Sequence, residues 1–156
     1  MAILKLSLVL LVLHVVQLQG NSMSDCEGEA QRYLWDNLNG YRRSLHLNNF
    51  TDNSNAACLA NKIADQLKND TCKNAFNFSP TPGTKPNVPK FDKFLHKCDI
   101  KDKRAVDGII LPICVPRLDP IVVFSNYTKS QYAKYLKNSN YMGLGLPLRI
   151  IEWWLF

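Results

Sequence analysis

Residues 53–69 read NSNAACLANKIADQLKN, and the fold turns on reading them as one amphipathic helix. Asn53 to Asn55 offer side-chain oxygens of the kind that cap a helix N-terminus. Leu59, Ala60, Ile63, Ala64 and Leu67 then share one face, with Lys62, Asp65 and Lys68 off it, and the helix is expected to stop near Asn69. Upstream, Ser24 followed three residues later by Glu27 makes a capping box, and Leu34, Leu38, Tyr41 and Leu45 recur at helical spacing, which predicts a helix over 25–45.

Downstream, Pro80, Pro82, Pro86 and Pro89 exclude regular structure between Lys73 and Lys90 and predict a surface loop. Phe91, Phe94, Leu95 and Cys98 predict a short third helix. The β-branched runs Ile109–Ile113 and Ile121–Ser125, bounded by Gly108, Pro112, Pro116 and Pro120, read as short strands. Thr128 with Gln131 is a second capping box, Tyr132, Tyr135 and Leu136 supply the buried face of a last helix, and Tyr141–Leu146 reads as strand. The expected class is α+β, in one small domain.

The ends set the compartment. Lys5, the apolar run Leu6 to Val16 and the polar stretch Gln17 to Gly20 follow the order of a signal peptide, read as residues 1–22 with cleavage after Ser22 and with Gly20 and Ser24 as competing cut sites. An eleven-residue helix rises about 16 Å, against the roughly 30 Å of hydrocarbon that a permanent span must cross. Residues 23–146 are then a secreted globular domain, and residues 147–156 an atypical apolar tail interrupted by Arg149 and Glu152.

Apolar residues at 46% and charged residues at 21% fit a folded chain rather than a disordered one. The formal charge is +6, and loss of Lys5 with the leader leaves 18 basic against 13 acidic residues, or +5. The densest basic run, Lys90, Lys93, Lys97, Lys101, Lys103 and Arg104, is interleaved with Asp92, Asp99 and Asp102, which reads as a solvated surface rather than a focused anion site. Export removes nucleic acid as a partner.

Five cysteines, Cys26, Cys58, Cys72, Cys98 and Cys114, in an exported chain point to disulfides. Five choices of spare cysteine and three pairings of the rest allow 15 frameworks. Local pairing is the simplest choice: Cys58 with Cys72 and Cys98 with Cys114, each closing a loop that contributes about 3 kcal/mol, with Cys26 spare. No Cys-x-x-Cys spacing supports a redox or zinc site, and His46 and His96 lack converging ligands, so neither a metal nor a cofactor is expected.

Asn49, Asn69, Asn77 and Asn126 head Asn-x-Ser/Thr sequons, Asn77 the weakest because Pro80 follows its Ser79. No nucleophile elbow or phosphate-cradling loop is present, and Gly143-Leu144-Gly145 alone is too weak to count as one, so no catalytic residue is assigned. A secreted hydrolase working through carboxylates such as Asp65 or Asp107 is the rival, and it needs two acids about 5–9.5 Å apart.

The chain resembles a family of uncharacterised plant GPI-anchored glycoproteins. The matching pieces are Tyr41-Arg42, Ser44-Leu45, Cys58-Leu59-Ala60, Ala64-Asp65-Gln66, Cys72, Pro82-Gly83-Thr84, Lys97-Cys98, Asp107-Gly108, Leu111-Pro112, Cys114 to Leu118, Asn126, Thr128, Ser130-Gln131-Tyr132, Gly143 and Gly145. The resemblance implies a GPI anchor on the outer plasma-membrane face and paired cysteines at Cys58, Cys72, Cys98 and Cys114, and it brings no activity. Anchor addition needs a polar spacer of about 8–12 residues before an apolar tail. Only eleven residues follow Gly145, with Arg149 and Glu152 inside the apolar stretch, so this chain as written is expected not to receive the anchor.

A fainter likeness is to the CAP superfamily of secreted cysteine-rich domains, carried by Asn39, Tyr41-Arg42, Leu45, Leu47, Cys58-Leu59-Ala60 and Gly143-Leu144-Gly145. It suggests an α/β/α sandwich. The paired histidines and glutamates of many CAP pockets have no counterpart, since Glu152 is the only glutamate after residue 29. The expected function is a non-enzymatic extracellular or cell-surface glycoprotein binding a lipid, glycan or peptide. A structural, wall-facing glycoprotein is a further alternative.

Overall fold

The computed structural model describes residues 28–68, 85–101, 108–115 and 119–147. The leader, Cys26, Asn69, Cys72, Asn77, most of the proline loop, Asp107 and the tail from residue 148 lie outside them. The described residues form a mostly helical small domain, with five helices and a two-stranded parallel sheet, so within the expected α+β class helix dominates.

Helix α1 covers residues 28–44 and buries Ala30, Leu34 and Leu38. It ends in a Schellman cap: Leu47 N donates to Arg42 O, His46 N donates to Arg43 O, and His46 takes the left-handed conformation at φ 58°. Strand β1 (Thr51–Asp52) follows. Helix α2 (Ser54–Leu67) starts where its sequence indicates, because the Asn53 side chain accepts from Ala56 N at 3.0 Å, and it buries Ile63 and Leu67.

Helix α3 (Phe91–Lys97) buries Phe91, Phe94 and Leu95 and ends in a second Schellman cap, with Asp99 left-handed at φ 53° and Ile100 N donating to Leu95 O. Its apolar face joins that of α2 in one core with Ile63, Leu67 and Val88.

That contact corrects the expected disulfide pairing. Cys58 on α2 is bonded to Cys98 at the end of α3, across 40 residues of sequence and with 5.6 Å between the Cα atoms. The apolar faces of the two helices set these positions side by side at bridging distance, and this tertiary contact overrides the preference for short loops. A closed loop of that size contributes about 4 kcal/mol in the chain-entropy treatment. Cys114 is also disulfide-bonded, to a partner outside the described residues, so neither Cys58–Cys72 nor Cys98–Cys114 forms.

Two expected strands are also corrected. Ile121–Ser125 lies inside helix α4 (Pro120–Lys129), where Asp119 caps the N-terminus by accepting from Ile121 N and Val122 N, and Pro120 sits in the first turn. Pro120 therefore opens a helix instead of bounding a strand. The β-branched residues lower helix propensity by only tenths of a kcal/mol, roughly 0.5 each, which such a start outweighs.

Ile109–Ile113 has no regular structure. In place of a sheet partner, Leu111 O accepts from the Tyr127 hydroxyl at 2.9 Å and Pro112 O from the Tyr132 hydroxyl at 2.8 Å. The Thr128 hydroxyl donates back to Phe124 O inside α4, so it caps nothing. Helix α5 (Ala133–Leu136) starts from Tyr132 without a side-chain cap, and the Ser130 Oγ, accepting from Tyr132 N, holds the turn that leads into it.

Strand β2 (Gly143–Leu144) pairs parallel with β1 in the register Thr51 to Gly143 and Asp52 to Leu144. A Cβ on Gly145 would overlap the backbone of Ala56 and Ala57, so the first turn of α2 approaches β2 closely only because residue 145 is glycine. A second core joins α1, β2, α4 and α5 through Leu34, Leu38, Phe50, Val115, Val123, Leu136 and Leu146.

Candidate functional site

The inward face of α1 carries two polar residues, Asn39 and Arg42, buried to 4% and 1% exposure. Asn39 Oδ1 accepts from Phe50 N at 2.7 Å, which fixes the chain just before β1. Arg42 Nε donates to Asn48 O at 2.6 Å, and Nη1 donates to Leu136 O at 3.0 Å and Asn138 O at 3.3 Å. The guanidinium also stands 4.2 Å from the centre of the Phe50 ring.

The carbonyls of Leu136 and Asn138 lie at the end of α5, where the helix dipole favours a cation. Burial pushes the Arg42 guanidinium below its ordinary value, and these donated bonds compensate for the water it has lost. This cluster ties α1, the approach to β1 and α5 together, and its hydrogen-bonding capacity is turned inward. Sequence reasoning misses it because Tyr41 and Leu45 continue the apolar spacing of Leu34 and Leu38 and so point the inward face elsewhere. The signal was the strict spacing of four through Ala30, Leu34, Leu38 and Arg42.

Tyr127 and Tyr132 form a second polar feature, with ring centres 6.1 Å apart and both hydroxyls on the 109–113 segment. Burial, and secondarily Tyr132, pushes the Tyr127 phenol well above its ordinary range. Burial, and then Tyr135, raises Tyr132. Both are held as neutral hydrogen-bond donors, the opposite of what a phenolate nucleophile requires.

The acceptor asparagines within the described residues are both at the surface. Asn49 follows the α1 cap and its Oδ1 accepts from Arg43 Nη1, leaving the amide nitrogen that a glycan would join outside that bond. Asn126 lies in α4, and its Nδ2 donates to Val122 O. His46 and His96 are exposed, as is Asp65 on α2. Among the described residues no group of three or more His, Cys, Asp or Glu converges as a metal site, and no helix is long and apolar enough to cross a membrane.

Around α3 the charges separate. Lys90, Lys93, Lys97 and Lys101 are exposed, and Asp92 is held by Lys85 Nζ at 2.6 Å.

Residues 31–154 match the family described as "Uncharacterized GPI-anchored protein At5g19230-like domain". The chain is 39% identical over 146 residues to the "Uncharacterized GPI-anchored protein At3g06035" of Arabidopsis thaliana, an alignment covering 94% of this chain and 72% of the Arabidopsis protein. No solved structure matches it. The match across nearly the whole folded region, with sequence identity at this level, shows that the chain belongs to the Uncharacterized GPI-anchored protein At5g19230-like family.

Proposed function

We propose that the protein is an exported glycoprotein of the outer cell surface that works by binding an extracellular lipid, glycan or peptide, without catalysis. The observation that carries this reading is the relationship, over 94% of the chain, to a protein named as GPI-anchored. Exposed Asn49 and Asn126, together with disulfide-bonded Cys58, Cys98 and Cys114, support it, since sugars and disulfides both belong to the exported compartment. We take β1, β2 and the helices on them as a minimal α/β/α sandwich of the CAP type, with the ligand held on its surface.

Two measurements test this reading. Material secreted from plant cells should lose apparent mass on glycosidase treatment through Asn49, Asn69 or Asn126, and an unchanged mass removes the glycoprotein clause. Purified mature protein should bind saturably to at least one member of a panel of sterols, fatty acids, peptides and wall oligosaccharides. Binding to none removes the ligand clause.

A further inference from the structure

In the sequence the lysines of residues 90–101 alternate with aspartates, and the alternation argues against a focused charge. The fold undoes it. At 100° per residue, Lys93 and Lys97 project within about 40° of each other around α3, about 6 Å apart along its axis, while Asp92 lies about 100° from Lys93 and about 140° from Lys97. An ion pair engages that aspartate, with Lys85 Nζ 2.6 Å from Asp92 Oδ1. Lys90 precedes the helix and Lys101 follows it, both exposed, and the exposed Asp99 is the one other carboxylate in the described 85–101 segment.

The flank is also rigid. The apolar side of α3 is buried against α2, Cys98 is bonded to Cys58, and the end of the helix is closed by its Schellman cap.

We propose that this lysine flank, Lys93 and Lys97 on one side of α3 with exposed Lys90 and Lys101 at its two ends, binds an acidic polysaccharide bearing carboxylates at regular intervals. The inference rests on the extracellular reading above and names its ligand class. A lysine presents a compact, hydrated charge to such a polymer without demanding one fixed geometry, and several together gain by releasing the polymer's counterions. A lipid surface fits less well. Phe91, Phe94 and Leu95 of α3 are buried, and among the described residues the exposed large apolar side chains, Leu45, Ile121, Val122 and Met142, all lie on other segments, so α3 presents no large exposed apolar side chain to a bilayer. Anionic lipid is moreover concentrated on the cytoplasmic leaflet, away from an exported protein.

The test uses the purified full mature chain and polygalacturonate, with dextran as the neutral control and phosphatidylserine/phosphatidylcholine vesicles as the lipid arm. The wild type should bind polygalacturonate and not dextran at about 50 mM salt, weakening steeply by about 200 mM. The double variant Lys93→Glu/Lys97→Glu should lose at least about tenfold in affinity, and Lys93→Gln/Lys97→Gln a smaller but clear factor. Lys129→Glu/Lys137→Glu changes net charge equally at exposed positions on α4 and just after α5 and should stay within about twofold of wild type. Each variant is checked for the Cys58–Cys98 bridge and native circular dichroism, and if the Glu pair fails this check the Gln pair decides.

No binding to polygalacturonate overturns the proposal, as does equal loss in the flank and control pairs. Binding to vesicles alone overturns it in favour of lipid. None of these outcomes bears on whether the protein is exported and glycosylated, which the glycosidase experiment decides separately.

Discussion

Replacing Arg42 by Met keeps a long apolar stem and deletes the guanidinium. Three carbonyls then lose a donor. The contacts at 2.6 Å to Asn48 O and 3.0 Å to Leu136 O are charge-assisted bonds, each contributing about 1.5–3 kcal/mol net, while the 3.3 Å contact to Asn138 O is weak. Asn48 and Asn138 are exposed residues whose carbonyls can turn to water, whereas Leu136 is 4% exposed and its carbonyl keeps most of its penalty.

Against this, the variant no longer desolvates a cation, and the thioether retains part of the packing on Phe50. The balance is a loss of about 3 kcal/mol, which at a urea slope of about 2 kcal/mol per molar lowers the unfolding midpoint by roughly 1.5 M. Arg42→Lys should recover less than half, because one ammonium cannot span carbonyls that the planar fork reaches together. Urea titration of the oxidised protein, followed by far-ultraviolet circular dichroism at constant slope, reads both values. A loss below about 1 kcal/mol for Arg42→Met would refute the claim that this buried cation ties α1 to α5.

Gly145→Ala should destabilise by about 1–3 kcal/mol, measured by the same titration, since its Cβ would overlap the backbone of Ala56 and Ala57 and force β2 away from α2. His46→Gly should stabilise by about 1 kcal/mol, seen as a rise in melting temperature, because φ 58° strains a side chain and suits glycine. Tyr127 is raised in the folded state above its ordinary 10.0, so the stability it contributes is complete below pH 10 and is lost as pH rises from there through the folded value. Tyr127→Phe should flatten that alkaline fall in unfolding free energy. Proteolysis without reduction should yield a Cys58–Cys98 peptide and a second bridge joining Cys114 to Cys72, and mass spectrometry finding Cys26 on Cys114 would reassign that bridge.

What the sequence reveals follows the range of the forces involved. Helix α2 was legible because both of its signals are local: Asn53 bonds three residues ahead, and Leu59, Ile63 and Leu67 repeat every turn. Helix α4 was misread because Ile121-Val122-Val123 has no periodicity to separate strand from helix, and Asp119-Pro120 admits both a turn and a helix start. Strands of two residues, such as β1 and β2, are too short to show alternation. The partner of Cys58 was hidden because only the packing of α2 on α3 selects Cys98. Arg42 was hidden because a buried cation looks from the sequence like a solvated one, and two of the three carbonyls that satisfy it lie 94 and 96 residues away.

The bridge from Cys58 to Cys98 separates the order of the backbone from the continuity of the covalent molecule. Every peptide bond between these two residues lies inside a ring, so a protease cutting the proline-bearing stretch once produces no free fragment. The nicked molecule runs as one species until a reductant splits it into two. The same ring relaxes constraints on the length of that stretch, because its two ends are fixed by α2 and α3, and doubling the intervening chain costs only about 0.6 kcal/mol in closure entropy. Insertions, deletions and single cuts can therefore accumulate there while the lysine flank of α3 keeps its place on the domain.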